Sequence, residues 1–301
     1  MRQNQPEAPP SGTRTLALLL AMTPGIGGKS VARVITRNTL LRRSADAFVR
    51  LPNESWREEY RLSAKSVAWL EAHRRDMLRN SAELEQRLGA LGVTLATSID
   101  AHYPALIEQM DQDPPGALFL YGNIKLLDAP TFAVLSSRKS HTADLELIEK
   151  LAEHGVMQGE VLVTGHDTPE YQRGAVVPLR WGSPRILVLD RGLFKVLGAN
   201  LRDEAFRAAR LWRYEFDPST DLAISPFRPE SDFVGVNNKV RDRLVGALAR
   251  RIDFVQVSEA GNMMAIARMA LRCGRPVRIS DRSIGYRSLI EGGATAICDA
   301  P

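Results

Sequence analysis

Hydrophobic and polar positions follow two textures along this chain. From Thr13 to about Gly92 the apolar residues recur at helical spacing. Leu84, Leu88 and Leu91 fall at i, i+4 and i+7, with Glu83, Glu85 and Arg87 between them, and Gly92 supplies a stop. After about Thr97, short and nearly continuous apolar runs alternate with stretches of helical length. The runs are TFAVLS (131–136), EVLVTG (160–165), RILVLD (185–190), LAIS (222–225), DFVQV (253–257) and PVRIS (276–280). Helices are predicted between them at Asp144–His154, Leu201–Arg213, Val236–Arg250 and Asn262–Cys273. Such strands, separated by helices, predict an α/β fold with a parallel sheet covered on both faces. The polar, Pro-rich residues 1–12 read as a disordered tail.

Composition narrows the class. The 301 residues are 44% hydrophobic and 25% charged, which suits two globular domains. The longest apolar run, Leu16 to Met22, is too short to span a bilayer. It follows Arg14 as a signal peptide would, but Glu7 stands in the would-be basic region and no small-x-small site follows. Cys273 and Cys298 form neither a disulfide framework nor a metal spacing, so a reducing cytoplasm without metal or cofactor is the simplest expectation. The net charge is +5. Residues 1–100 hold 15 Lys and Arg against 10 Asp and Glu, and the other 201 hold 25 of each. A basic first third suits an anionic polymer, or is an ordinary basic surface.

The stretch LLLAMTPGIGGKSVARVI (18–35) poses a sharper question. Gly28-Lys29-Ser30 ends like a P-loop, but Thr23 stands where the first glycine should turn the loop toward phosphates. Asp190, closing RILVLD, would be the Mg²⁺-holding aspartate of such a site. The competing reading is a helix-hairpin-helix. Pro24-Gly25-Ile26-Gly27 forms its turn, Ile26 fills the gap between helices, and Ala32 and Ile35 face inward. Gly25, Gly27 and Lys29 would then meet a nucleic-acid phosphate at the helix start, with Arg33 one turn on. A tight turn without a ligand remains the bland alternative.

Taken in order, several segments resemble the DNA-processing protein A (DprA) family. They are the stretch just quoted, RLSAKSVAWL (61–70), LEQRLGALGVTLATSIDAHYPALI (84–107) and DPPGALFLYGN (113–123). FAVLSSRKS (132–140), VTGHDTPEYQRGAV (163–176), RDRLVGALA (241–249), ALRCGRPV (270–277) and SLIEGGA (288–294) follow. The resemblance is to a divergent member. Ser136 replaces the glycine of Gly-Ser-Arg, Gln172 stands in place of a usual His, Asp242 replaces Asn between Arg241 and Arg243, and the Phe-Pro before them is absent. The expectation is a member without the family's frequent C-terminal winged helix. The resemblance implies a small helix-hairpin-helix-like all-α module at 13–98 and a Rossmann-like domain at 99–301, with helices on both faces of its sheet. It implies single-stranded DNA binding, a homodimer and delivery of the strand to a RecA-type recombinase.

In an open parallel sheet a ligand sits beyond the carboxyl ends of the strands. Those ends carry Ser136-Ser137-Arg138-Lys139, Gly165-His166-Asp167, Asp190-Arg191-Gly192, Ser225 and Glu259-Ala260-Gly261-Asn262. Arg138 and Lys139 are the obvious phosphate partners, with Ser137 and Gly165 beside them. Arg243 shares a helical face with Lys239, whereas Arg241 points away from it, toward the ligand or with its stem packed inward. Four such contacts predict a salt slope of about −3 on single strands. Trp181, read as part of a loop, is the favoured base-stacking residue. His166, Asp167 and Glu170 share one loop and suggest acid–base chemistry, but Thr168-Pro169 reads equally well as a helix cap. No G-x-G-x-x-G is present. The expectation is a non-enzymatic, sequence-independent binder of single strands. The rivals are a nucleotide-sensing module on the same scaffold and a hydrolase using the 166–170 loop.

Overall fold

A computed structural model of the chain describes residues 12–100, 102–138, 140–206 and 214–297. Lys139 and Trp212 fall outside that set, as does the second half of the helix expected at 201–213. The chain divides into two compact units, Met1–Tyr103 with Asp113–Leu118, and Pro104–Gln112 with Phe119–Pro301.

The first unit is helical. It contains α1 (Thr13–Met22), α2 (Gly28–Leu40), α3 (Ala45–Val49), α4 (Asn53–Glu58), α5 (Ala64–His73) and α6 (Met77–Ala90), followed by β1 (Val93–Thr97). Helices of such length gain their stability from one buried face. Here Leu16, Leu19 and Leu20 of α1 meet Val31, Val34 and Ile35 of α2 and Phe48, Trp56, Tyr60 and Leu70 beyond. Trp56 Nε1 donates to Phe48 O at 3.1 Å, so its one polar atom is satisfied inside this core. Trp69 lies at the core's edge, stacked on His73. Gly92, in the left-handed region at φ 75°, ends α6 as expected.

The second unit is the α/β layer. Its described strands, β2 (Ala117–Gly122), β3 (Thr131–Leu135), β4 (Val161–Thr164), β5 (Arg185–Val188), β6 (Leu222–Ser225), β7 (Arg251–Phe254), β8 (Val277–Ser280) and β9 (Thr295–Ile297), run in the order β2-β6-β5-β4-β3-β7-β8-β9. Neighbours from β6 to β9 are parallel, as in Val134 opposite Asp253, while β2 is antiparallel to β6. Crossovers use α8 (Thr142–Met157), α9 (Pro169–Trp181), α10 (Leu193–Leu197), α11 (Asn237–Leu248), α12 (Asn262–Arg272) and α13 (Tyr286–Glu291); α7 (Ala105–Met110) precedes β2. All five residues of β3 are buried, and so are all four of β4, β5 and β6. That is the apolar signature of strands covered on both sides.

Two expected elements move. The run at 253–257 forms strand at 251–254 instead, because Asp253 sits buried in mid-strand, held by Arg278 Nε and Nη2 at 2.6 Å each. The described part of the helix expected from Leu201 is not helical. Glu204 turns inward to Arg185 Nη2 at 2.7 Å, and Asp203 bridges to Glu215. Strands β1, β2 and β9 lie outside the six runs read from the sequence.

Candidate functional site

Successive strands from β3 step outward to β4, β5 and β6 on one side, and from β7 to β8 and β9 on the other. The order therefore reverses between β3 and β7, which is where open α/β sheets hold ligands. Two loops meet there. Ser137 N–H donates to Gln256 O at 2.7 Å, and Ser258 N–H donates to Ser137 Oγ at 3.2 Å. Ser137 thus ties the loop after β3 to the loop after β7, and its amide faces that second loop rather than open solvent. Arg138, the next residue, is exposed and makes no ion pair with a described residue.

Beyond β4 the loop residues scatter to different partners. Asp167 Oδ1 accepts from Arg241 Nη1. The same guanidinium gives Nε to Asp242 Oδ1 at 2.7 Å and Nη2 to Asn238 Oδ1 at 3.2 Å, and stacks 4.5 Å over the Tyr171 ring. Tyr171 Oη donates to Asp242 Oδ1 at 2.8 Å, and Asn262 Nδ2 donates to Asp242 Oδ2 at 3.0 Å. Arg241 is 1% exposed. Burial disfavours its charge, but Tyr171, Asp242 and Asp167 outweigh that and hold the guanidinium firmly protonated. Burial and the adjacent Asp242 carboxylate push the Tyr171 hydroxyl well above its ordinary range. Gly165 belongs to this packing: a Cβ there would lie 2.8 Å from Arg241 Nη1 and 2.9 Å from the Tyr171 ring.

His166 faces elsewhere. Its Nε2 lies 3.2 Å from Asp190 Oδ1 at the end of β5. Arg191 grips the same carboxylate with Nε at 2.8 Å and Nη2 at 3.1 Å. Burial raises the Asp190 pKa, but His166 and Arg191 prevail and hold it well below the usual carboxylate range. Glu170 accepts from Ser140 N–H at 3.2 Å. Thr168 caps α9, accepting from Tyr171 N–H, with Pro169 at the helix start. The three groups suggested for acid–base chemistry therefore serve three separate structural partners. Gln172, standing for the usual His, donates to His166 O at 3.3 Å.

The predicted cations fare unequally. Lys239, near the start of α11, is exposed and makes no ion pair with a described residue. Arg243 shares its face as expected, but Nε lies 3.1 Å from the buried Asp111 carboxylate, and the arginine is only half exposed. Arg241 is enclosed as described. Of the five basic residues assigned to the edge, Arg138 and Lys239 present free charge among the described residues, Arg241 and Arg243 are neutralised, and Lys139 lies outside that set. Trp181 is not the loop residue expected from the sequence. It ends α9 rather than lying in a loop, and its Nε1 donates to Glu153 Oε1 at 3.1 Å. α9 starts at the carboxyl end of the sheet and runs back about 18 Å at 1.5 Å per residue, so Trp181 sits at the opposite edge.

In the first unit, α1 precedes the Gly-Lys-Ser segment, where a P-loop requires a strand. The turn is the hairpin: Gly25 takes φ 83°, Ile26 is buried, and Ser66 Oγ donates to Pro24 O at 3.0 Å. Its helix start is already occupied, however. Gly28 N–H donates to Pro114 O at 3.2 Å, and a Cβ at Gly28 would lie 2.4 Å from that oxygen. A Cβ at Gly27 would lie 3.1 Å from Asp113 Oδ1. A carbonyl thus meets the first helical amide and a carboxylate stands beside Gly27, where a phosphate was expected, while Lys29 is exposed. No cluster of His, Cys, Asp and Glu among the described residues would hold a metal ion, and no described helix is long and apolar enough to cross a membrane.

Sequence reasoning missed the Asp190–Arg191 clamp, the role of Asn262, and an exposed aromatic, Phe233. The last lies in SDFVGV, just ahead of the helix predicted from Val236.

The comparisons with known proteins agree with this architecture. The family model of DNA recombination-mediator protein A matches residues 94–173, a stretch that contains the loops after β3 and β4. No curated protein matches the chain. The crystal structure of DNA processing protein A from Streptococcus pneumoniae superposes with a TM-score of 0.70 at 18% identity, covering 96% of this chain and 95% of that one. DNA processing protein A from Helicobacter pylori, described in terms of its single-stranded DNA binding mode, gives 0.53 at 20% identity over 69% and 91%. The chain thus matches the DNA recombination-mediator protein A family model over residues 94–173 and shares the fold of DNA processing protein A over nearly its whole length.

Proposed function

We propose that this protein binds single-stranded DNA through its phosphates, without reading sequence, at the carboxyl edge of the second unit's sheet. The observation that carries this reading is the exposed Arg138 on the loop after β3, at the point where strand order reverses. Lys239 adds a second free cation at the start of α11. The likeness to the Helicobacter pylori protein supports single strands as the ligand. Delivery to a RecA-type recombinase, self-association as a homodimer and a cytoplasmic setting complete the proposal; they follow from the family resemblance. Turnover is not expected, since His166, Asp167 and Glu170 do not converge on a common point.

One observation favours a second reading, a nucleotide-sensing module. Asp190, Asp167 and Asp242 neutralise Arg191 and Arg241, which leaves few free cations for a long polyanion. Binding of oligo-dT of increasing length, set against thymidine mono- and triphosphate, separates the two. Single-strand binding predicts affinity that climbs with length and weak binding of mononucleotides. A mononucleotide bound as tightly as the oligomer would support the sensor instead.

A further inference from the structure

Among the described residues, the carboxyl edge of the sheet carries one aromatic ring facing solvent. Phe233 lies in the loop between β6 and α11 and is 39% exposed, flanked by Val234 and Val236 at 59% and 61%. Exposed apolar side chains at a functional edge indicate something that covers them. The ring is also held in place. Arg191 stacks 5.1 Å from its centroid, and that guanidinium is fixed on two sides by Asp190. The loop itself is pinned on both sides of the ring. Before it, Gly192 N–H donates to Ser231 O at 2.9 Å and Lys195 Nζ pairs with Asp232 at 3.0 Å. After it, Asn237 Nδ2 donates to Asp190 O at 2.8 Å. A ring fixed in this way loses little entropy when a flat partner stacks on it.

We propose that Phe233, backed by Arg191, is the base-stacking platform of this edge, and that its ligand is an unpaired nucleobase of any identity. The proposal rests on the single-strand reading above. Three features favour a nucleobase over an apolar protein segment. The guanidinium behind the ring is charge-compensated by Asp190, so the platform suits a neutral flat face. The loop leads directly into the turn of α11 that bears Lys239, so a strand whose phosphate meets that lysine carries its base toward the ring. Stacking on a π-face is also tolerant of sequence, in keeping with phosphate-led binding. Trp181, the aromatic expected from sequence, lies at the other end of α9 and cannot serve this edge.

The test compares oligo-dT with an abasic oligomer of equal length, which keeps the phosphates and lacks the bases. Phe233→Ala is expected to weaken oligo-dT binding about 5-fold or more, as loss of one stacked base does, and to leave the abasic oligomer unaffected. Phe233→Leu, which keeps apolar volume and so protects the fold, is expected to show the same loss, and Phe233→Trp to recover it. The salt slope should not change, because no phosphate contact is removed. Wild-type affinity of Phe233→Leu for oligo-dT, or equal losses on both oligomers, would overturn the proposal. Failure of the underlying groove has a different signature: Arg138→Ala with Lys239→Ala would then bind both oligomers as the wild type does.

Discussion

Arg241 Nη1 on α11 donates to Asp167 Oδ1 on the loop after β4, so one guanidinium serves the carboxylates of Asp167 and Asp242 while lying on the Tyr171 ring. This arrangement makes Arg241 a strut between α11 and the β4 loop. Arg241→Met is expected to destabilise the fold by about 3–5 kcal/mol, because two largely buried carboxylates lose their cation. Denaturant unfolding measures this. The folded fraction of the variant should bind oligo-dT with an unchanged salt slope; a shallower slope at full stability would mean Arg241 meets phosphate directly.

The hairpin of the first unit gives a second expectation. Lys29 is exposed, and the helix start beside it is filled by Pro114 O and closely approached by Asp113. Lys29→Ala should therefore leave stability within about 0.5 kcal/mol of wild type and reduce oligo-dT affinity only about twofold, one phosphate contact or less. ATP hydrolysis that vanishes in this variant would contradict the hairpin and revive the P-loop.

Asp190 supplies a pH-dependent expectation. Its folded pKa is depressed by His166 and Arg191, so the unfolded state binds the proton more readily. The stability it contributes is complete above the unfolded carboxylate range, about pH 4, and is lost as pH falls toward the depressed folded pKa. Asp190→Asn should cost about 3 kcal/mol at pH 7, and the gap from wild type should narrow as the pH is lowered below 4. Thermal unfolding of both proteins between pH 7 and pH 3 checks the sign; a gap that widens in acid would refute it.

The sequence made most strands of the second unit legible because β3 to β6 are buried on both faces, and continuous apolar runs record that directly. It failed where a charge is buried by a partner far along the chain. Asp253 resembles a strand boundary until Arg278 is seen to hold it, and Glu204 belongs in a predicted helix until Arg185 draws it inward. The candidate site shows the same limit. Helical spacing placed Arg243 and Lys239 on one face, but Asp111, 132 positions away from Arg243 in sequence, decides that the arginine is neutralised. Likewise nothing local to Arg241 announces Asp167. Trp181 was misplaced because its neighbours Gly182 and Pro184 read as loop, whereas the helix continues to the residue before them.

The salt dependence of oligo-dT binding counts the phosphate contacts at the carboxyl edge of the sheet. Four phosphate contacts would give a slope of about −3, at about −0.7 per contact on single strands. The structure withdraws Arg243 to Asp111 and leaves Arg138 and Lys239 as the exposed described cations of the edge, with Lys139 beside Arg138 in sequence. Those three contacts should give a wild-type slope of about −2, falling to about −0.7 in Arg138→Ala with Lys239→Ala. The double variant should keep wild-type stability, because both side chains are exposed. Wild-type affinity and slope in that variant would remove the carboxyl edge of the sheet as the DNA site.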